Sequence, residues 1–331
     1  MNASLSPGKA ALCLILFLLV CARATALAAE GELRLTTPRL GGQTITLLLP
    51  EPATSLPSAF YLLMPEFLSR ISANAMIAEH APGRGGATAW HRLQSRHDNG
   101  SQIAAITLPD FFLQSMLKEK RFNPDAISPF VILARAPLGL WIPEKHKAKN
   151  PHDFIDMVRD NRANFMAGTG SITGHHMATL MLNRAAGITF EYLPYLGTKE
   201  AARAVLANQA TACWAVAGPA SAMPGMRLLA VTSPVRSPLH PTVPTLMESS
   251  ILVTFEQAFG LAMPATAPEA VIATASELYT RLATTPEFAS RAAALGFTVD
   301  PVNLATLPPV VATQKKETSA FVNDYPINMT R

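Results

Sequence analysis

Asn164-Phe165-Met166-Ala167-Gly168-Thr169-Gly170-Ser171-Ile172-Thr173-Gly174-His175-His176 reads as a strand that passes through a glycine turn into a helix. Residues 164–167 are the strand and Gly168-Thr169-Gly170-Ser171 the tight turn. Thr173 to Ala186 carries the helix, closed by Gly187. Glycine at a helix end takes the left-handed backbone that side chains resist. The same unit recurs on both sides. Upstream, Thr44–Leu49 is a strand stopped by Pro50, and Ser58–Ile71 places Phe60, Leu63, Met64, Phe67, Leu68 and Ile71 at helical spacing behind a Ser58 cap. Strands are also predicted at Met76–Glu79, Gln102–Thr107, Phe130–Ala134 and Gly139–Ile142. Helices follow at Ala87–Leu93, from Pro109 to about Lys120, and at Pro151–Asn161. Downstream, strands at Phe190–Leu193, Thr211–Val216 and Leu228–Thr232 flank a helix at Thr198–Ala207. Such alternation predicts an α/β fold with largely parallel sheets.

In parallel sheets, ligands sit beyond the carboxyl ends of the strands, in the loops that lead into helices. Two loops stand out: Pro50–Ser58 and Ala167–His176. Both are rich in small or hydroxylated residues and both feed a helix N-terminus. There, free N–H groups and a partial positive charge favour an anion. The other chemistries that these residues suggest fail on spacing. His175 and His176 diverge by about 100° on a helix and cannot readily share one metal ion. A Ser171/His176 nucleophile–base pair has no orienting acid, so no catalytic residue is assigned. Gly168-x-Gly170 lacks the third glycine and the downstream acid of a dinucleotide site, so no cofactor is expected. Trp90, Trp141 and Trp214 read as core.

The 331 residues suffice for two domains, and 49% hydrophobic with 15% charged residues excludes a disordered chain. The formal net charge is +4 with no basic run, so no nucleic-acid partner is expected. An apolar run after Lys9, Arg23, and the small-x-small step Ala26-Leu27-Ala28 predict a secretory signal peptide over 1–28 and a periplasmic mature protein. Its removal leaves 25 basic residues against 23 acidic ones. It also removes Cys13 and Cys21, which leaves Cys213 without a disulfide partner in an apolar strand. Residues 29–42 read as a loose N-terminal arm.

An ordered series of segments then carries a family resemblance. Glu79-His80-Ala81-Pro82-Gly83-Arg84-Gly85-Gly86 resembles Glu-Asn-x-Pro-Gly-Ala-Gly-Gly. Leu193-Pro194-Tyr195-Leu196-Gly197 resembles Val-Pro-Tyr-Lys-Gly. Leu229–Ser233 with Arg236, then Val243–Glu248, resembles Leu-Ala-Val-x-Ser…Arg…Val-Pro-Thr-x-x-Glu, and Phe255, Gly260, Pro264 and Pro268 follow in family order. Over about residues 43–325 the chain is similar to the Bug/TctC family, the extracytoplasmic receptors of tripartite tricarboxylate transporters.

The resemblance implies a two-lobed type II periplasmic-binding-protein fold with two crossing strands, near Ala134–Leu140 and Thr254–Leu261. Lobe one would be residues 43–136 plus 256–331, and lobe two 137–255. It implies a monomer that binds a small carboxylate and meets membrane transporter subunits. A binding module that feeds a sensor is the alternative. Carried over residue by residue, the ligand contacts are Ala53, Thr54, Ser55 and Ser58, then Thr169, Gly170, Ser171 and His176, then Pro194, Tyr195 and Gly197, with Thr107 added from a lobe-one strand. The first loop departs from the family's Gly-Gly-x-x-Asp, reading Thr54-Ser55-Leu56-Pro57-Ser58. A ligand amine is therefore expected to find no acid there.

Overall fold

The computed structural model describes residues 40, 44–95, 100–161 and 163–325; the expected signal peptide and most of the expected arm lie outside them. Ten strands form one curled, mixed sheet in the order β2-β1-β3-β9-β4-β7-β5-β6, with β8 and β10 also pairing with β4. The first arm holds β1 (Thr44–Leu49), β2 (Ala75–His80), β3 (Gln102–Leu108), β9 (Glu256–Pro264) and β10 (Thr298–Val302). The second holds β5 (Phe165–Thr169), β6 (Glu191–Tyr195), β7 (Ala212–Val216) and β8 (Met226–Val231). β1 runs parallel to β2 and β3, and β5 runs parallel to β6 and β7.

The strand common to both arms is β4, Ile127–Pro143, 17 residues long. Sequence reading divides it into two strands around Pro137. In the structure the ladder does not stop there but changes partners. Residues 127–137 pair with β9, and 138–143 pair with β7 and β8, all antiparallel. The register against β9 slips near Pro129 and Ile132. Proline cannot donate to a ladder, and such slips are where it is tolerated within a sheet.

Helices cover both faces of each arm. Around the first are α1 (Leu56–Tyr61), α2 (Met64–Ile71), α3 (Ala87–Gln94) and α4 (Asp110–Ser115). The second packs α5 (Pro151–Asp160), α6 (Gly174–Ala186) and α7 (Thr198–Leu206), and α8 (Glu269–Ala283), α9 (Pro286–Ala294) and α10 (Leu307–Asp324) return to the first. The helix expected over Ser58–Ile71 is two. Pro65 lacks an N–H and its ring opposes the carbonyl four residues back, so the chain breaks at Leu62-Leu63. The cap of the first piece is Ser55, whose hydroxyl accepts from the Ser58 N–H. The helix after Pro109 ends at Ser115, short of Lys120.

The largest core lies between β1, β4 and β9 and helices α1, α2, α8 and α9. An aromatic group anchors it: Phe60 stacks on Phe297 at 4.6 Å between ring centroids, with Phe259 and Phe288 edge-on to Phe60. A separate core under the second arm joins β4, β5 and β7 to α5 and α6. The glycine at position 260 of β9 has a packing reason. A Cβ there would stand 2.4 Å from the Val131 carbonyl of β4, so a side chain would force the two strands apart.

Candidate functional site

The ends of β1, β2, β3, β5, β6 and β7 converge on one cleft of about 220 Å³, with Gln257 and Phe259 of β9 in its wall. Pockets for drug-sized ligands run to roughly 300–1,000 Å³, so this one suits a smaller molecule.

The β5–α6 loop is a rigid wall. Gly170 donates its N–H to the Tyr195 carbonyl, the Tyr192 hydroxyl donates to the carbonyl of Gly170, and Thr173 Oγ1 donates to that of Thr169. Among the described residues, the N–H groups of Ser171, Ile172 and Thr173 have no protein partner. The Thr169 N–H donates to His175 Nδ1 at 2.9 Å, which leaves any proton of the neutral ring on Nε2. Burial pushes the His175 imidazole down to about 4, so it is neutral at ordinary pH.

The facing wall comes from the first arm, and it grips this loop. Asp110 Oδ1 accepts from the Gly174 N–H, the first of α6, at 2.6 Å. Gln114 Nε2 donates to the carbonyls of Ser171 and Ile172, each at 2.8 Å. Ile172 has φ 55°, a left-handed backbone rare for a β-branched residue, and its side chain is buried against Leu113 and Leu117. Gly170 and Gly85 meet so closely that a Cβ on Gly170 would lie 3.1 Å from the Gly85 Cα.

The expected residues separate into two groups. Thr107, Thr169, Gly170, Ser171 and Tyr195 line the cleft, and Ala53, Thr54, Ser55, Ser58, His176, Pro194 and Gly197 do not. Ala53, Thr54 and Pro194 are exposed. Ser55 caps α1, and Ser58 Oγ donates to the Glu51 carbonyl at 3.3 Å. These two serines therefore shape the loop that presents Glu51. His176 stacks on Tyr192 at 4.6 Å, and its neighbour His175 faces the cleft. Gly197 caps α7 and packs beside Pro52.

Sequence reading missed Glu51, Arg84, Asp110 and Gln257, which all line the cleft. Arg84 was legible as a departure, since it stands at the alanine of Pro-Gly-Ala-Gly-Gly. Asp110 follows Pro109 at a strand end, and Gln257 had no signal. Burial, reinforced by the nearby Asp110, pushes the Glu51 carboxyl up to about 7. Burial likewise pushes Asp110 up to about 7, opposed by the Gly174 N–H and by Gln257. The Gln257 side chain interacts with both Asp110 and His175. Among the described residues, no group of three or more His, Cys, Asp or Glu is placed to hold a metal ion.

A curled α/β sheet whose strand ends enclose one small cleft is the fold of periplasmic binding proteins. Solved structures share this fold. BugD, a periplasmic binding protein, superposes with a TM-score of 0.76 at 19% identity, over 85% of this chain and 97% of that one. An R. palustris protein solved with adipate gives 0.79 at 16% identity, over 85% and 96%. MatC from Rhodopseudomonas palustris, solved with malate, gives 0.74 at 21% identity, over 85% and 98%. In sequence, a Cupriavidus necator protein described as "UPF0065 protein in gbd 5'region" is 27% identical over 218 residues, or 64% of this chain. The match spans 65% of that relative's length. The tripartite tricarboxylate transporter family receptor profile matches residues 63–324, and the chain belongs to that family of solute-binding receptors.

Proposed function

We propose that the cleft binds a small organic acid in the periplasm and that the chain, as a monomer, passes it to the membrane subunits of a tripartite tricarboxylate-type transporter. The observation that carries this reading is the β5–α6 loop. Its Ser171 and Thr173, whose N–H groups have no protein partner among the described residues, line a cleft whose wall also holds the cation Arg84. Backbone N–H groups and a guanidinium together are a carboxylate site. The adipate and malate named for two structural neighbours agree in chemistry. The expected lobes, 43–136 plus 256–331 and 137–255, would hinge where β4 changes partners and where the chain enters β9.

Calorimetry of the mature protein with succinate, malate, glutarate and adipate tests binding. A saturable heat of binding is expected for at least one of these acids. Ser171→Ala should weaken that acid by about 10- to 150-fold, the worth of a hydrogen bond to a charged group. An undiminished affinity in that variant would show that the Ser171 hydroxyl does not touch the acid. Delivery is tested separately: deletion of the gene should abolish cellular uptake of the bound acid. Intact uptake would favour a sensing partner.

A further inference from the structure

Two acids line the cleft that is proposed to hold a carboxylate. Glu51 enters from the end of β1, and Asp110 follows the end of β3, the neighbouring parallel strand. Asp110 is satisfied by the Gly174 N–H and Gln257. Glu51 is not: its carbonyl is held by Ser58 Oγ and the His80 ring, but among the described residues its carboxyl has no hydrogen-bond or ion-pair partner. The loop is thus fixed at its backbone while its charged end is left open.

A second, independent observation lies beside it. Thr107 is 2% exposed and lines the cleft, and its Oγ1 has no hydrogen-bond partner. A buried hydroxyl without a partner costs free energy unless something in the cleft completes it. The pairing of Leu48 with Ala104, carried three residues along both chains, brings Glu51 and Thr107 to adjoining strand ends.

The charge of the wall decides what kind of group fits. Glu51 and Asp110 are acidic, Arg84 is the one Lys or Arg among the described lining residues, and His175 is neutral. When both acids are ionised, the wall is net negative. A ligand with two carboxylates meets repulsion at Glu51. One with a carboxylate and a cation matches both ends.

We propose that the ligand carries a primary ammonium as well as a carboxylate, the ammonium seated against Glu51 and Thr107 Oγ1 and the carboxylate against Arg84 and the 169–173 loop. This rests on the carboxylate reading above and narrows it to amino-acid-like zwitterions. The ammonium supplies the donors that Glu51 and Thr107 lack, and Glu51 supplies the acid that the absent Gly-Gly-x-x-Asp would have offered.

Protonation gives the class a signature. Asp110 and Tyr61 feel the Glu51 charge, the His80 ring meets its carbonyl, and Arg84, His175 and Tyr195 line the same cleft. With the Glu51 carboxyl near 7 in the free protein, pairing with an ammonium lowers it. Affinity for an amino acid is then full above about pH 7 and is lost as pH falls. A dicarboxylate shows the opposite slope, because protonation of Glu51 removes repulsion.

The test is calorimetry on the mature chain with matched pairs: succinate and aspartate, glutarate and glutamate, adipate and 2-aminoadipate. At pH 8 the amino member of at least one pair should bind at least 10-fold tighter than its diacid. Lowering the pH to 6 should weaken the amino acid and strengthen the diacid. Glu51→Gln should weaken the amino acid at least 10-fold and tighten the diacid, and Glu51→Asp should keep the parent's order of preference. The preference and pH slopes of the unmodified protein stand even if a variant fails to fold. Diacids bound more tightly than their amino partners would overturn this inference and leave the carboxylate reading intact. Failure of every pair to bind would overturn both.

Discussion

Asp110 puts a carboxylate where the anion-binding end of α6 would otherwise face the ligand. A buried carboxyl raised to about 7 binds a proton in the folded state that the unfolded chain, near 4, has already released. Stability therefore falls as pH rises from about 4 through about 7. Asp110→Asn keeps an oxygen for the Gly174 N–H and removes the charge. Scanning calorimetry of the ligand-free protein should show the variant melting above the parent at pH 8, with the gap closing by pH 4.5. A pH-independent gap would mean that the carboxylate carries no such cost. At this scale the sequence was a partial guide. The glycines and hydroxyls of 169–171 were legible because a turn between strand and helix has few chemical solutions. Glu51 and Asp110 were not, because an acid beside proline reads as surface until the sheet order brings β1 and β3 together.

Elements explain why the two walls meet. Helix α4 is short, yet it supplies Asp110, Leu113 and Gln114, and Leu117 follows just beyond its end, all against the β5–α6 loop. It works as a clasp: three hydrogen bonds and one apolar peg, Ile172, join the arms without a ligand. Gln114→Ala removes two of those bonds. Each is worth roughly 0.5–1.5 kcal/mol, so the pair can shift a closed–open balance by about 5- to 150-fold. Small-angle scattering of the ligand-free variant should report a larger radius of gyration than the parent's, and added ligand should restore it. An unchanged radius would show that α4 does not hold the arms together. The clasp lay beyond sequence reading because its partners are 57–64 positions apart. The short-range signals did better. Thr44–Leu49 and Ala87 onward stand where they were read, and two of the misreadings, at Pro65 and Pro137, involve a proline whose effect depends on its neighbours in space.

For the whole molecule, the α/β class and its family followed from the order of segments along the chain, since that order outlasts changes at single positions. The signal peptide expected over 1–28 predicts a mature N-terminus near Ala29, to be checked by mass spectrometry of the exported protein; a full-length cytosolic product would contradict it. Once those residues are gone, the chain has one thiol. Cys213 lies within β7 with none of its surface exposed, and burial pushes its thiol up to about 12. It neither ionises nor meets reagent while the second arm is folded. Hinge motion that merely opens the cleft leaves β7 paired and Cys213 dark, whereas rupture of the sheet exposes it. Alkylation of this one sulfur is therefore a built-in clock for unfolding, blind to ligand traffic, and it can separate variants that bind poorly from variants that fall apart.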